Sequence, residues 1–258
     1  MSGYAPGTFA PGTFTPDARR ASVVSIVAAQ GSIESKLMLR HGEQQLLSII
    51  IPVMILLGGT RVAPNLIGDP QELFPMVLAI AATSAGFTGQ AISLAFDRRY
   101  GALKRTGASG VPAWAIIAGK VIAVLSMVAL QLLVLGTVGY LVGFRTTAWG
   151  VLLAGLTLMV GVCAFTALGL ALGGRLSSEV VLALSNLIWF LLLAVVGWAL
   201  YSQGLGDNGW LNVVPTVALA GGLKVAFAGS FPGIQLAALA VWALAAGWAA
   251  ARWFRFEG

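Results

Sequence analysis

Histidine and cysteine are nearly absent from this chain: His41 and Cys163 are the only ones among 258 residues. A single thiol excludes an intramolecular disulfide and a cysteine metal cluster. A single histidine leaves Cys/His zinc sites, and the Ser/His or two-His arrangements of intramembrane hydrolases, short of parts. Charge is scarce as well, at 9% of residues against 58% hydrophobic, and the mean hydropathy is +0.90. That balance lies far outside a soluble domain and describes a chain that is nearly all membrane. No stretch reads G-x-x-x-x-G-K-[ST], so no loop cradles nucleotide phosphates, and the chain is expected to carry no ATPase site, catalytic residue, metal or cofactor of its own. The net charge of +6 does not point to nucleic acid, because the fifteen basic residues are scattered between apolar runs.

What is present begins with a tail. Residues 5–14 repeat one pentapeptide, APGTF APGTF, and the first twenty residues hold no apolar core that a signal peptide would need. Proline and glycine at that density neither hold a helix nor build a core, so residues 1–21 read as a disordered tail ahead of one transmembrane domain, 22–258.

A helix needs about twenty apolar residues to cross about 30 Å of hydrocarbon. That ruler gives six spans, at about 46–60, 73–96, 113–144, 149–172, 180–201 and 234–251. The first is short and centred on Pro52; it reads as a re-entrant segment, or as a span if extended back through Gln44 or forward to Leu66. The class is therefore all-α integral membrane.

Orientation follows from lysine and arginine, which cytoplasmic loops retain. With both termini inside, Arg19, Arg20, Lys36, Arg40, Arg98, Arg99, Lys104, Arg105, Arg175, Arg252 and Arg255 fall on inner segments, and only Arg61, Arg145 and Lys224 on outer ones. Lys120 falls near the inner end of the third span, where its stem is expected to snorkel to the interface. Trp114 and Trp253 at inner ends, and Tyr140, Trp149, Trp198 and Tyr201 at outer ends, agree with this orientation. The expected location is a plasma (inner) membrane, multi-pass.

Two segments are apolar without being spans. In "SVVSIVAAQGSIESKLMLRHGEQ", Val23, Ile26, Val27, Ile33 and Leu37 recur at helical spacing among Glu34, Lys36 and Arg40. The mixed pattern favours a helix lying in the inner interface over one packed on another subunit. Between the fifth and sixth spans, a Gly/Asp/Asn turn precedes an apolar stretch at 217–228 too short to cross. It reads as short outer re-entrant helices, capping a pathway or packed as a loop.

The spans hold no carboxylate, since Asp97 and Glu179 fall at span ends and Asp69, Glu72 and Asp207 in outer loops. A carrier driven by protons or sodium keeps an ionisable group at membrane depth, so ion coupling is disfavoured. The spans do hold mild polarity. Thr83, Gly86, Gln90 and Ser93 step by helical intervals on one predicted face that runs toward Asp97, and Ser185, Asn186 and Trp189 form a smaller patch in the fifth span. Two readings stand for these groups: helix-to-helix hydrogen bonding, at about 1 kcal/mol per contact, or the lining of a pathway. The pairs Gly139/Gly143 and Gly169/Gly173 have the spacing of close helix contacts, a pattern that arises easily in a chain with 33 glycines.

The charges concentrate in "FDRRYGALKRTGASGVP", where Asp97, Arg98, Arg99, Lys104 and Arg105 crowd together. Four buried basic groups would cost roughly 10 to 14 kcal/mol at mid-bilayer, which places this segment outside the membrane. A plain turn needs no apolar residues, yet Phe96, Tyr100 and Leu103 recur at helical spacing before the breaks at Gly107, Gly110 and Pro112. The pattern predicts a short amphipathic helix on a cytoplasmic loop, resting on headgroups or inserted in a partner's groove.

The longer stretch "FDRRYGALKRTGASGVPAWAIIAGKV" resembles the first cytoplasmic loop of the ATP-binding-cassette type-2 permeases, a group that includes daunorubicin-resistance-type drug exporters. Those members carry an acidic and basic cluster, a Gly-Thr-Leu-Glu, a later proline, and a Gly-Lys opening the third span. Here Gly101-Ala102-Leu103-Lys104, Pro112 and Gly119-Lys120 stand in those places. "EQQLLSIIIPVMILLGG" and "VVPTVALAGGLKVAFAG" are also similar to the family.

The resemblance implies a half-transporter that pairs with a second permease chain, identical or related, and with two separately encoded ATPase subunits that hold ATP and Mg. It implies that Asp97, Arg98, Arg99, Tyr100, Gly101, Leu103, Lys104 and Arg105 form a coupling helix seated in an ATPase groove. Lys104 departs from the family's glutamate and points to a groove of different charge. Uncharged spans suit an apolar or amphipathic cargo, such as a drug or lipid-like molecule, with Thr83, Gln90, Ser93, Ser185, Asn186 and Trp189 as pathway candidates. The competing readings are an ion-coupled carrier and a non-transporting membrane scaffold.

Overall fold

The computed structural model describes residues 21–40, 42–62 and 68–253, with the side chains of 42–47 and 253 excepted. The pentapeptide repeat, residues 1–20 of the tail assigned to 1–21, the forward extension of the first span to Leu66, and Arg255 all lie outside the described residues.

Among the described residues every regular element is a helix. They are α1 (Val23–Arg40), α2 (Gly42–Leu57, continued by a π turn Gly58–Val62), α3 (Pro70–Arg99), α4 (Ala102–Ala108), α5 (Ala113–Val142), α6 (Ala148–Gly173), α7 (Ser178–Gln203), α8 (Pro215–Phe227) and α9 (Gly233–Trp253). Five of these, α3, α5, α6, α7 and α9, are long and apolar enough to cross a membrane. The apolar part of α2, Ser48–Val62, would reach only about 22 Å, so the first expected span is a short helix here.

Local chemistry sets the boundaries. The Asp69 carboxylate accepts from Gln71 N at the start of α3, with Pro70 in the first turn where its missing N–H costs nothing. Thr147 and Ser177 cap α6 and α7 in the same way, accepting from Gly150 N and Val180 N. At the far end of α5, Gly143 turns the chain at φ +108°, a conformation that suits glycine.

The core surrounds α3. In its most apolar stretch 78% of residues are buried, against 17% for α7, whose apolar flanks face outward as lipid-facing helices do. The short α8 is almost wholly buried and packs on α3, α6 and α9, so the segment expected to be a dipping outer loop is part of the core. Lys224 on α8 pairs with Glu72 at the start of α3, and Glu72 also accepts from Leu205 N. Thr146 donates to the Phe227 carbonyl, and Trp242 donates its indole N–H to Val213 O. These bonds satisfy the backbone of an irregular connection that would otherwise be costly in an apolar setting.

The two glycine pairs separate. A Cβ on Gly169 would meet the Phe87 and Gly86 carbonyls, and one on Gly173 the Ala91 carbonyl, so this pair brings α6 onto the α3 backbone. Gly139 instead makes room for the Phe74 ring, while Gly143 ends its helix.

The helix α1 lies along α5: Gly31 packs on Ile122, Gln30 on Gly119, and the Ser35 and Ser126 hydroxyls are 3.3 Å apart. It is therefore held by this chain's own third-span helix, while Val23, Val24, Ile33 and Leu37 remain exposed.

Candidate functional site

Lys120 sits on α5, one full turn and more inside its first residue, and its side chain is completely buried. The expectation that it snorkels to the interface is corrected: Nζ donates to Asp97 Oδ2 at 2.9 Å, Glu34 Oε2 at 3.1 Å and Ser93 Oγ at 3.3 Å. Partners close at hand make burial of the ammonium cheaper than a stretch to the surface. One cation thus joins α1, α3 and α5. Gln30 Nε2 donates to the second oxygen of Glu34 at 3.2 Å, which fixes that carboxylate from its own helix.

The polar face predicted for α3 is also corrected. Ser84–Thr88 forms a π turn, whose extra residue rotates everything beyond it relative to Thr83. Thr83 donates to the Ala79 carbonyl of its own helix, and Gly86 faces Phe165 and Thr166 on α6. Gln90 and Ser93 turn the other way, toward α1 and Lys120, with Gln90 Nε2 at 3.9 Å from Met38 Sδ. Ser185 and Asn186 bond to the Leu182 carbonyl of their own helix, and Trp189 meets Phe190 edge to face.

The charged segment is not one continuous amphipathic helix. Asp97, Arg98 and Arg99 finish α3, Tyr100 and Gly101 break the chain, and α4 starts anew at Ala102. Gly101 at φ +68° is the reason: that left-handed conformation ends one helix and redirects the next. Phe96, in the last turn of the first helix, stacks with Tyr100 just beyond it at 5.9 Å, and Leu103 belongs to the second.

Each residue of this segment has a distinct task. The Arg98 guanidinium donates to Gly173 O at 3.0 Å and Leu176 O at 3.2 Å, capping the carbonyl end of α6 where a cation is favoured. Arg99 donates to Ser178 Oγ and pairs with Glu179, so both arginines fasten α3 to the α6–α7 turn. Arg105 reaches back to the Tyr100 carbonyl at 3.2 Å. Tyr100 and Lys104 point into the open.

Leu103 does the opposite. Only 3% exposed, it belongs to a small buried cluster with Leu94 of α3, Ile116 of α5, Leu170 of α6 and Ala250 of α9. A seven-residue helix with one face exposed is thereby anchored by a single side chain among four long helices.

A cavity of about 670 Å³ opens between α1, α3 and α4. Gln90, Ser93 and Asp97 line it from α3, Glu34 from α1, and Leu103 and Arg105 from α4. The structure thus brings three of the predicted polar and charged residues of α3 together with Glu34, which sequence reasoning placed in an interfacial helix. The signal that could have found Glu34 was the pairing of a lone membrane-depth lysine with the nearest carboxylates, since a buried ammonium requires them. Among the described residues, no group of three or more His, Cys, Asp or Glu is placed to hold a metal.

Comparison with protein families matches residues 29–217 to the model described as ABC-2 type transporter. The match runs from the middle of α1 to the start of α8 and so includes the ion cluster, most of the cavity wall and α4. No curated protein and no solved structure matches the chain.

Proposed function

Because the chain belongs to the ABC-2 type transporter family, it is a transporter permease subunit, and we propose that it moves an apolar or amphipathic compound out of the cytoplasm, energised by two separate ATPase subunits that bind ATP and Mg. A second permease chain completes the assembly, which sits in the plasma membrane with both termini inside. The observation that carries this reading is the anchoring of α4. Leu103 is buried among α3, α5, α6 and α9 while Lys104, next to it, is exposed. A partner that pushes on the exposed face moves a side chain wedged between four long helices, so closure of an ATPase reaches the bundle as a rigid displacement.

The test is co-expression with an ABC ATPase, followed by pull-down and ATP-driven transport in vesicles. Charge reversal at Lys104 and Arg105 is expected to weaken ATPase capture and to abolish transport. Intact capture and transport in that variant would refute the coupling role of α4.

A second reading has gained support from one observation. Lys120 with Glu34 and Asp97 is an ionisable cluster at helix depth, the feature that an ion-coupled carrier uses. That reading predicts uptake or efflux by the lone chain in vesicles under an ion gradient without ATP, an outcome the ATPase-driven reading forbids.

A further inference from the structure

Far from α4, near the start of α3, a groove of about 300 Å³ opens between the last turns of α5 and the first turns of α6. Two glycines make it. Leu132, Gly136 and Tyr140 step by four along one face of α5, and Val151, Ala154 and Gly155 share one face of α6. A Cβ on Gly136 or Gly155 would meet nothing within 4 Å, whereas one on Gly139 would strike the Phe74 ring and one on Gly150 the Thr146 side chain and the Phe227 carbonyl. Gly139 and Gly150 thus serve close packing, while Gly136 and Gly155 leave space that this chain does not fill. The floor is aromatic: the rings of Phe74, Phe144 and Phe227 gather with centroids 4.2, 5.1 and 5.6 Å apart. A charge stands at the mouth. Arg145, in the α5–α6 turn, lies 4.1 Å from the Tyr140 ring centroid and donates Nη1–H to the Tyr140 and Phe144 carbonyls at 2.7 and 2.8 Å. Ring and backbone hold the guanidinium in place, yet among the described residues no carboxylate pairs with it and its Nε and Nη2 donate to no partner. Lys224, by contrast, has Glu72.

Nε and Nη2 form one edge of the guanidinium fork, and a fixed, unpaired edge suits an oxyanion taken through two parallel N–H bonds. Apolar walls beside it suit a hydrocarbon chain, and a groove of this volume admits a single unbranched chain but not a helix about 10 Å across. A soluble anion on Arg145 would leave the groove empty and its walls without dispersion contacts. We infer that the groove binds a phospholipid of the bilayer, its phosphate on Arg145 and one acyl chain laid between α5 and α6 over the rings of Phe74, Phe144 and Phe227. The chain fills the space that Gly136 and Gly155 leave, and the lipid joins the α5–α6 turn to the end of α8, where Phe227 lies. The inference goes beyond the transport reading: a lipid held here is part of the folded subunit, whatever the cargo.

The test is native mass spectrometry of the full chain, delipidated in detergent and titrated with dioleoyl phosphatidylglycerol, with dioleoylglycerol, which has the same chains and no phosphate, and with inorganic phosphate. Saturable uptake of one phosphatidylglycerol per chain is expected, with dioleoylglycerol weaker by about tenfold or more and no uptake of inorganic phosphate. Arg145→Gln removes the charge and should weaken phosphatidylglycerol by about tenfold or more. Gly136→Leu and Gly155→Leu fill the groove from its two sides and should abolish the first lipid. Both glycine variants enter open space and raise helix propensity, so they should keep the parent's thermal midpoint in lipid-free detergent and decide the matter if Arg145→Gln fails to fold. Equal uptake of phosphatidylglycerol and dioleoylglycerol, or a first lipid that Gly136→Leu and Gly155→Leu leave in place, would overturn the proposal. No ATPase, nucleotide or transport enters the measurement, so its failure leaves the permease reading standing.

Discussion

The ammonium of Lys120 lies 2.9 Å from the Asp97 carboxylate, tying the N-terminal part of α5 to the last turn of α3 immediately before the chain bends into α4. Any displacement of α4 that pulls on the end of α3 is therefore felt at α5, and through Glu34 at α1. The bond is a mechanical joint as well as an electrostatic one.

Breaking that joint from its cationic side should be severe. Lys120→Met leaves two partly buried carboxylates without their shared ammonium, and loss of one partner from a buried ion network costs at most about 3 to 5 kcal/mol. A marked fall in the midpoint of thermal unfolding in detergent is expected. Asp97→Asn leaves Glu34 on Lys120 and should lower the midpoint less; equal stability of Lys120→Met and the parent would contradict the cluster.

Neighbouring arginines should behave differently. Arg98→Ala removes two charge-assisted bonds, one to the last residue of α6 and one to the α6–α7 turn, at about 1.5 to 3 kcal/mol for each bond lost before relaxation. Arg99 and Glu179 are both largely exposed, and such pairs contribute about 0 to 1 kcal/mol. Parallel denaturation of the two alanine variants should thus rank Arg98→Ala well below Arg99→Ala.

The approach of α6 to α3 predicts a contrast among glycines. Gly173→Ala puts a methyl group against the Ala91 carbonyl, and such overpacking costs about 1 to 3 kcal/mol. Gly247→Ala on α9 meets nothing within 4 Å and removes the helix penalty of glycine, so it should be neutral or stabilising by up to about 1 kcal/mol. Melting of the two variants in the same detergent checks both.

Leu103→Ala separates anchoring from docking. The variant loses contacts to the four-helix cluster but keeps Lys104 and Arg105 on the surface. Under the proposed function it should still capture the ATPase yet transport several-fold more slowly, because the wedge that transmits motion is shorter. Unchanged transport would mean that α4 passes motion by another route.

Much of this architecture was legible from residues. Runs of apolar residues gave the long helices because a bilayer imposes one length on every crossing segment, whereas the caps at Asp69, Thr147 and Ser177 emerged only in the folded chain. The face of α3 was misread because helical spacing assumes one uniform pitch. A π turn at Ser84–Thr88 breaks that assumption, and it leaves no pattern in a sequence of small residues. The charged segment was seen as one helix because Gly101 tolerates a helical reading; only the folded chain sets it at φ +68°.

By itself, then, the sequence determined that this chain is a bundle of membrane helices without nucleotide-binding chemistry, since composition and hydrophobic length are properties of segments. The tertiary structure decided which groups meet. Lys120, Asp97 and Glu34 come from three different helices, and Leu103 finds its neighbours on four. A buried charge or a wedged side chain has meaning only with its partners in place, because desolvation must be offset by neighbours that chain order does not specify.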